Sequence, residues 1–209
     1  FLNGYQELQK VWNELRKQSR LKMFLLSFFF YNMGTQTVMY VATIFGENEL
    51  KLPTEMWIVV VLIIQFVAIA GAYLFSNLSG KYGNVRALSI AITVWIFICI
   101  AAYFDDKRFG INEQTVFIII AAFVGMVMGG IQSLSRSTYS KLLPETTDHA
   151  SYFSFFDVCD KVGTVAGTFM YGFIIEATGN MRNSIIGLTL FFIIGLILLL
   201  RLPKTQKLI

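Results

Sequence analysis

The chain has 209 residues, of which 56% are hydrophobic and 14% charged, and its formal net charge is +4. An ordinary soluble domain is about a quarter charged, so this composition points to a membrane protein. The basic residues are scattered between apolar blocks with no aromatic-interleaved patch, which argues against a nucleic-acid partner.

In chain order, the first element is a helix over residues 5–20. Tyr5, Leu8, Trp12 and Leu15 recur at helical spacing, with Val11 beside them and basic residues around the rest. Such a helix either lies in the membrane interface or packs on its own protein as a linker. The chain opens on Phe1 and shows no short apolar run behind a basic start. A signal peptide is therefore not expected, and a fragment of a longer protein is.

Six stretches then supply the ~20 mostly apolar residues that a membrane span needs. They are residues 23–45, 56–77, 87–104, 114–133, 152–177 and 183–200. The connections, 46–54, 78–86, 105–113, 134–151 and 178–182, are short and polar, so successive spans are expected to run antiparallel. In the first span Asn32, Thr35, Gln36, Met39 and Thr43 share one side. Carboxamides in a bilayer need partners. Asn32 and Gln36 either bind a polar solute or join helices. Gln65 in the second span reads as interhelical glue. The third and sixth spans are the greasiest and are expected at the lipid. The fourth carries Gly125 and Gly129, which suggest close packing or a bend, and is followed by Arg136, read as a cytoplasmic boundary anchor.

Only the fifth span contains charge. At ~100° per residue, Ser154, Asp157, Asp160, Lys161, Thr164, Thr168 and Tyr171 fall within a sector of about 120°. Phe155, Val162, Ala166, Phe169 and Phe173 take the opposite face. Lipid offers the polar stripe no partners, so it must face protein or a water-filled cavity. The cluster reads as the wall of a transport cavity or as a structural ion pair, since Asp157 and Lys161 are four residues apart and can neutralise each other. Gly163 and Gly167 flank the stripe and allow a neighbouring helix to approach closely.

Lysines and arginines fix the expected orientation. Lys10, Arg16, Lys17, Arg20, Lys22, Lys81, Arg86, Arg136, Lys141, Arg201, Lys204 and Lys207 fall on one side, and only Lys51, Lys107, Arg108 and Arg182 on the other. The first side, with both ends of the chain, is expected in the cytoplasm. Cys99 and Cys159 lie in separate apolar spans and read as packing residues. His149, the single histidine, sits at a helix start. No nucleophile elbow and no His/Cys metal spacing is present, so neither an enzyme, a metal nor a cofactor is expected.

Six spans with cytoplasmic ends resemble one half of a major facilitator superfamily transporter, a family of two six-helix halves. The connection after the second span, Ser76-Asn-Leu78-Ser79-Gly80-Lys81-Tyr-Gly83-Asn-Val-Arg86, is similar to that family's loop motif at Leu78, Ser79, Lys81, Gly83 and Arg86. Ser76 stands for its first glycine and Gly80 for its aspartate. Downstream, Gly129-Gly-Ile-Gln132-Ser133-Leu-Ser135-Arg136 and the run from Phe153 to Lys161 resemble the vacuole-effluxer-like branch, whose fungal members are autophagy-related amino-acid effluxers. Members show Gly-Lys where this chain has Asp160-Lys161, and Gly-Pro where it has Gly167-Thr168.

The resemblance implies an all-α polytopic membrane protein whose six transmembrane helices form the C-terminal half of a major-facilitator-type bundle. Residues 1–20 would be an amphipathic cytoplasmic linker helix, 21–202 the bundle and 203–209 a cytoplasmic tail. The implied function is secondary active transport of a small polar solute, with an amino acid as the candidate, by alternating access. Asn32, Gln36 and Thr164 are the candidate solute contacts. Lys161 would attract a carboxylate or balance the acids, and Asp157 or Asp160 would take a coupling proton. Expected partners are the missing N-terminal half or a second copy, the lipid bilayer and the solute. The expected location is a bacterial inner membrane, or the vacuolar membrane for a fungal chain. The alternative is a self-contained six-helix channel or a dimeric membrane scaffold.

Overall fold

A computed structural model describes residues 2–48, 54–104, 113–145, 148–179 and 181–203, with side chains over 9–40, 55–103, 118–145, 148–179 and 185–203. Of the residues named above, Phe1, Tyr5, Leu8, Thr43, Lys51, Lys107, Arg108, Arg182, Lys204 and Lys207 have side chains outside the described residues. The helices are α1 (Leu2–Leu15), α2 (Ser19–Asn48), α3 (Thr54–Tyr82), α4 (Asn84–Phe104), α5 (Glu113–Leu142), α6 (His149–Thr178) and α7 (Met181–Leu200). No strand occurs among the described residues. The protein is an all-α polytopic membrane protein. Among the described residues α3, α4, α5 and α6 are long and apolar enough to cross a membrane, and α7 contributes the shorter apolar stretch Ile185–Leu200. The carboxamides and hydroxyls of α2 dilute its apolar content below that of α3 to α7.

Each of the six predicted spans lies within one of α2 to α7, but several helices run further. The connection expected over 78–86 is almost all helix: α3 continues to Tyr82, and Gly83 alone breaks the chain before α4. Gly83 has φ of 86°, a left-handed conformation that glycine adopts without a Cβ clash. The connection expected over 134–151 also shrinks, because α5 continues to Leu142. Apolarity marks where a helix meets hydrocarbon, and the backbone ladder continues wherever polar side chains find water or other helices. Asp148 caps α6, its carboxylate accepting the Ser151 N–H at 3.3 Å. Gly179 ends that helix in the left-handed region and donates its N–H to the Ile175 carbonyl at 2.8 Å.

The core lies where α2, α4, α5 and α7 meet. Trp95 of α4 stacks on Phe192 of α7 with ring centroids 5.4 Å apart. Ser27 of α2 donates to the Gly195 carbonyl at 2.7 Å, and the bare backbone at Gly195 lets Tyr31 seat against α7. α4 and α7, expected at the lipid, each bury one face: Leu88, Ile92 and Trp95 on α4, Leu188, Phe192 and Leu199 on α7. Their other faces, including Phe97 and Leu190, are exposed. α3 docks on α5 through backbone contact, because Gly71 faces Met126, Gly125 faces Ile64 and Gly129 faces Ala68.

α1 packs on its own protein. Val11 and Leu15 are buried in the core cluster, and Trp12 meets Phe155 of α6 with centroids 6.0 Å apart. The Tyr152 hydroxyl donates to the Glu14 carboxylate at 2.6 Å. These contacts hold α1 against the N-terminal turns of α6.

Candidate functional site

Three helices, α2, α5 and α6, place polar side chains around a cavity of about 230 Å³. Asn32 and Gln36 come from α2, Gln132, Ser135 and Arg136 from α5, and Asp160 and Lys161 from α6. Within α2 and α5 the polar pairs are four residues apart, so each pair stands on one helical face. Phe28, Ile131 and Phe156 supply the apolar wall. Phe28 stacks on Phe156 with centroids 4.2 Å apart, which fixes α2 against α6 beside the polar groups. Behind the cavity the Tyr31 hydroxyl lies 2.7 Å from Ser135 Oγ. Ser135 spends its own proton on the Ile131 carbonyl, so Tyr31 is the donor.

Asp160 is the centre of the arrangement. Asn32 Nδ2 donates to its Oδ1 at 2.9 Å and to its backbone carbonyl at 3.2 Å. Gln36 Nε2 donates to the same Oδ1 at 3.3 Å. Lys161 Nζ lies 3.1 Å from Oδ2. The Asp160 side chain is 19% exposed and that of Lys161 80%, so the carboxylate sits inside and the ammonium reaches towards the open side. Asp157 is held separately: Arg136 donates to its Oδ1 at 2.9 Å. The Arg136 guanidinium also lies over the Phe156 ring, 5.7 Å from its centroid. Asp160, Lys161 and Arg136 line the cavity, and Asp157, which is not a lining residue, pairs with Arg136, so the four ionisable groups form two ion pairs.

This pairing corrects the one drawn from spacing. Asp157 and Lys161 are four residues apart on one helix, yet they do not pair. Arg136 of α5 takes Asp157, and the amides of α2 hold Asp160 where Lys161 neutralises it. Arg136, read as a boundary anchor, lies on the cavity wall ahead of the end of α5. Thr164 is not among the lining residues; its hydroxyl donates to the Asp160 carbonyl at 2.9 Å. Thr168 makes the same back-bond to the Thr164 carbonyl.

Gly163 and Gly167 face α2. A Cβ at Gly163 would find Asn32 and Phe29 at ordinary contact distance, 3.5 Å. At Gly167 it would strike Thr37 Oγ1 and come within 2.7 Å of the Met33 carbonyl. Lys81, Gly83 and Arg86 are elsewhere, at and beside the α3–α4 turn. Gln132 belongs to the site but sequence reasoning weighed it only as part of a resemblance. Its spacing of four from Arg136, the same as Asn32 to Gln36, was the available signal.

The family model described as "Vacuole effluxer Atg22 like" matches residues 1–208. An uncharacterized MFS-type transporter of Bacillus subtilis, YxiO, is 26% identical over 97% of this chain and 46% of its own length. Autophagy-related protein 22 of Yarrowia lipolytica is 28% identical over 98% of this chain and 35% of its own. That of Pichia angusta is 28% identical over 87% of this chain and 33% of its own. The chain therefore spans between a third and a half of the length of these relatives.

Proposed function

This chain belongs to the Atg22-like vacuole effluxer family within the major facilitator superfamily, and on that premise we propose that it is the C-terminal half of a secondary active transporter. The single observation that carries this reading is the cavity shared by α2, α5 and α6, which is lined by charged groups of both signs and by carboxamides. A small zwitterion such as an amino acid suits it. Lys161 or Arg136 would receive the carboxylate, and Asp160 or Asp157 the ammonium. The amide nitrogens of Asn32 and Gln36 are committed to Asp160, and a carboxamide keeps its carbonyl oxygen as an acceptor for a solute donor.

We also assign the coupling proton to Asp160, because its carboxylate is what holds Lys161. Protonation removes the charge that holds Lys161 and leaves the ammonium available to a solute carboxylate. The cavity would open alternately to each side as this bundle rocks against a partner bundle. The membrane would be a bacterial inner membrane, or a vacuolar one for a fungal chain.

The test is solute flux by the complete transporter in proteoliposomes, using a panel of radiolabelled amino acids. Lys161→Ala should lower flux of a transported solute by about tenfold, the effect of losing one charge-assisted contact of ~1.5 kcal/mol. Lys161→Arg, which keeps the charge, should retain part of it. Wild-type flux from a normally expressed Lys161→Ala variant removes Lys161 from the mechanism.

A further inference from the structure

A second and larger cavity, of about 1030 Å³, lies at the basic end of the bundle. We propose that it binds the phosphate headgroup of an anionic phospholipid. Arg20 at the start of α2, Arg86 at the start of α4 and Lys141 at the end of α5 line it, and no carboxylate does among the described residues. Arg86 and Lys141, brought to one cavity from two helices, repel each other unless an anion joins them.

The local structure assembles those cations. Gly83 turns the chain so tightly that α4 begins at once and Arg86 falls in its first turn. Asn84 accepts from Lys141 Nζ at 2.8 Å while donating its own amide to Ser137 Oγ at 2.9 Å. Lys141 is thereby held at the cavity. Arg86 is exposed and makes no hydrogen bond or ion pair among the described residues.

The rest of the wall distinguishes a lipid from a free anion. Ile90, Leu200 and Leu202 line the same cavity, and Ile90 and Leu200 continue onto the exposed apolar faces of α4 and α7. A soluble phosphate has no use for that wall. A phospholipid places its phosphate among the cations and its first methylenes along the isoleucine and leucines. Basic pockets between helices at the cytoplasmic boundary suit anionic headgroups, and each lysine or arginine near such a surface strengthens attraction severalfold.

The test uses the complete transporter, purified and stripped of lipid, then titrated in detergent with phosphatidylglycerol, phosphatidylcholine or inorganic phosphate. Native mass spectrometry counts retained lipid, and thermal unfolding reports stabilisation. Phosphatidylglycerol should be retained and raise the unfolding midpoint, while phosphatidylcholine and phosphate do neither. Arg86→Gln with Lys141→Gln should weaken phosphatidylglycerol binding by about tenfold or more. Arg86→Gln alone disturbs no partner among the described residues, and should give an intermediate loss in a folded protein. Equal retention of the two lipids, unchanged binding by the variants, or stabilisation by phosphate alone would each overturn the proposal.

Discussion

Asp160 shows why residue type in the fifth span is not enough to assign a role. Helical spacing alone placed it on a polar stripe that must avoid lipid. Its partners come from α2, 128 and 124 positions away in sequence, and no local pattern reveals them. The Arg136–Asp157 pair is similar: spacing offered Lys161 as the counter-ion, whereas tertiary packing delivered an arginine from α5. Both members of that pair are more than half exposed, so screening limits its contribution to under about 1 kcal/mol. Asn32 is a different case. It is buried, and its amide serves both the side chain and the backbone of Asp160. Asn32→Leu should destabilise the protein by about 1–2 kcal/mol, the range for a good interhelical bond to a charged acceptor. Gln36→Leu, which removes one longer bond from a less buried site, should stay under about 0.6 kcal/mol, near the average for membrane hydrogen bonds. Thermal unfolding in detergent at one pH compares the two. Equal losses, or a larger loss at Gln36, would show that Asp160 does not depend chiefly on Asn32.

Among elements, the existence of α2 to α7 was legible because hydrocarbon thickness demands long apolar runs. Their ends were not, since a helix outlasts its apolar window when polar groups find water or neighbours, as at Tyr82 and Leu142. Which side of each helix meets which partner was legible only where small residues marked it. Gly163 and Gly167 both face α2, but the two are not equivalent. A methyl group at Gly163 meets ordinary contacts, while at Gly167 it meets the Met33 backbone and the Thr37 hydroxyl. Backbone cannot yield as a flexible side chain does. Gly167→Ala should therefore cost about 1–3 kcal/mol by overpacking and separate α2 from α6. Gly163→Ala should fall within about 0.5 kcal/mol of wild type. Detergent melting curves of the two single variants give the comparison. A melting midpoint for Gly167→Ala at or above that of Gly163→Ala would mean that the α2–α6 contact relaxes without loss.

At the scale of the whole molecule, α3 and α6 leave the most apolar surface uncovered. Phe66 and Tyr73 on α3 and Val165 and Phe169 on α6 are each about 70% exposed. Lipid alone would suit α3. It does not suit α6, because Lys161, Asp157 and Thr168 are exposed on the flank beside Val165. A lysine or aspartate facing the bilayer centre costs about 2.5–3.5 kcal/mol on an insertion scale. Burying that flank against another polar cavity wall avoids the cost, and a second six-helix bundle supplies such a wall. When the 209-residue chain is expressed by itself, a second copy should take that place. Val165→Cys, in a background with Cys99→Ser and Cys159→Ser, should form a cross-linked dimer under mild oxidation. Leu190→Cys on the outer face of α7 should not, although it is also exposed. Light scattering on the detergent-solubilised chain should agree with a dimer. A monomer, or cross-linking as efficient through Leu190→Cys as through Val165→Cys, would mean that α6 tolerates lipid along its polar flank. The cavity would then be the private pocket of a single bundle, and the case for a rocking partner would fall with it.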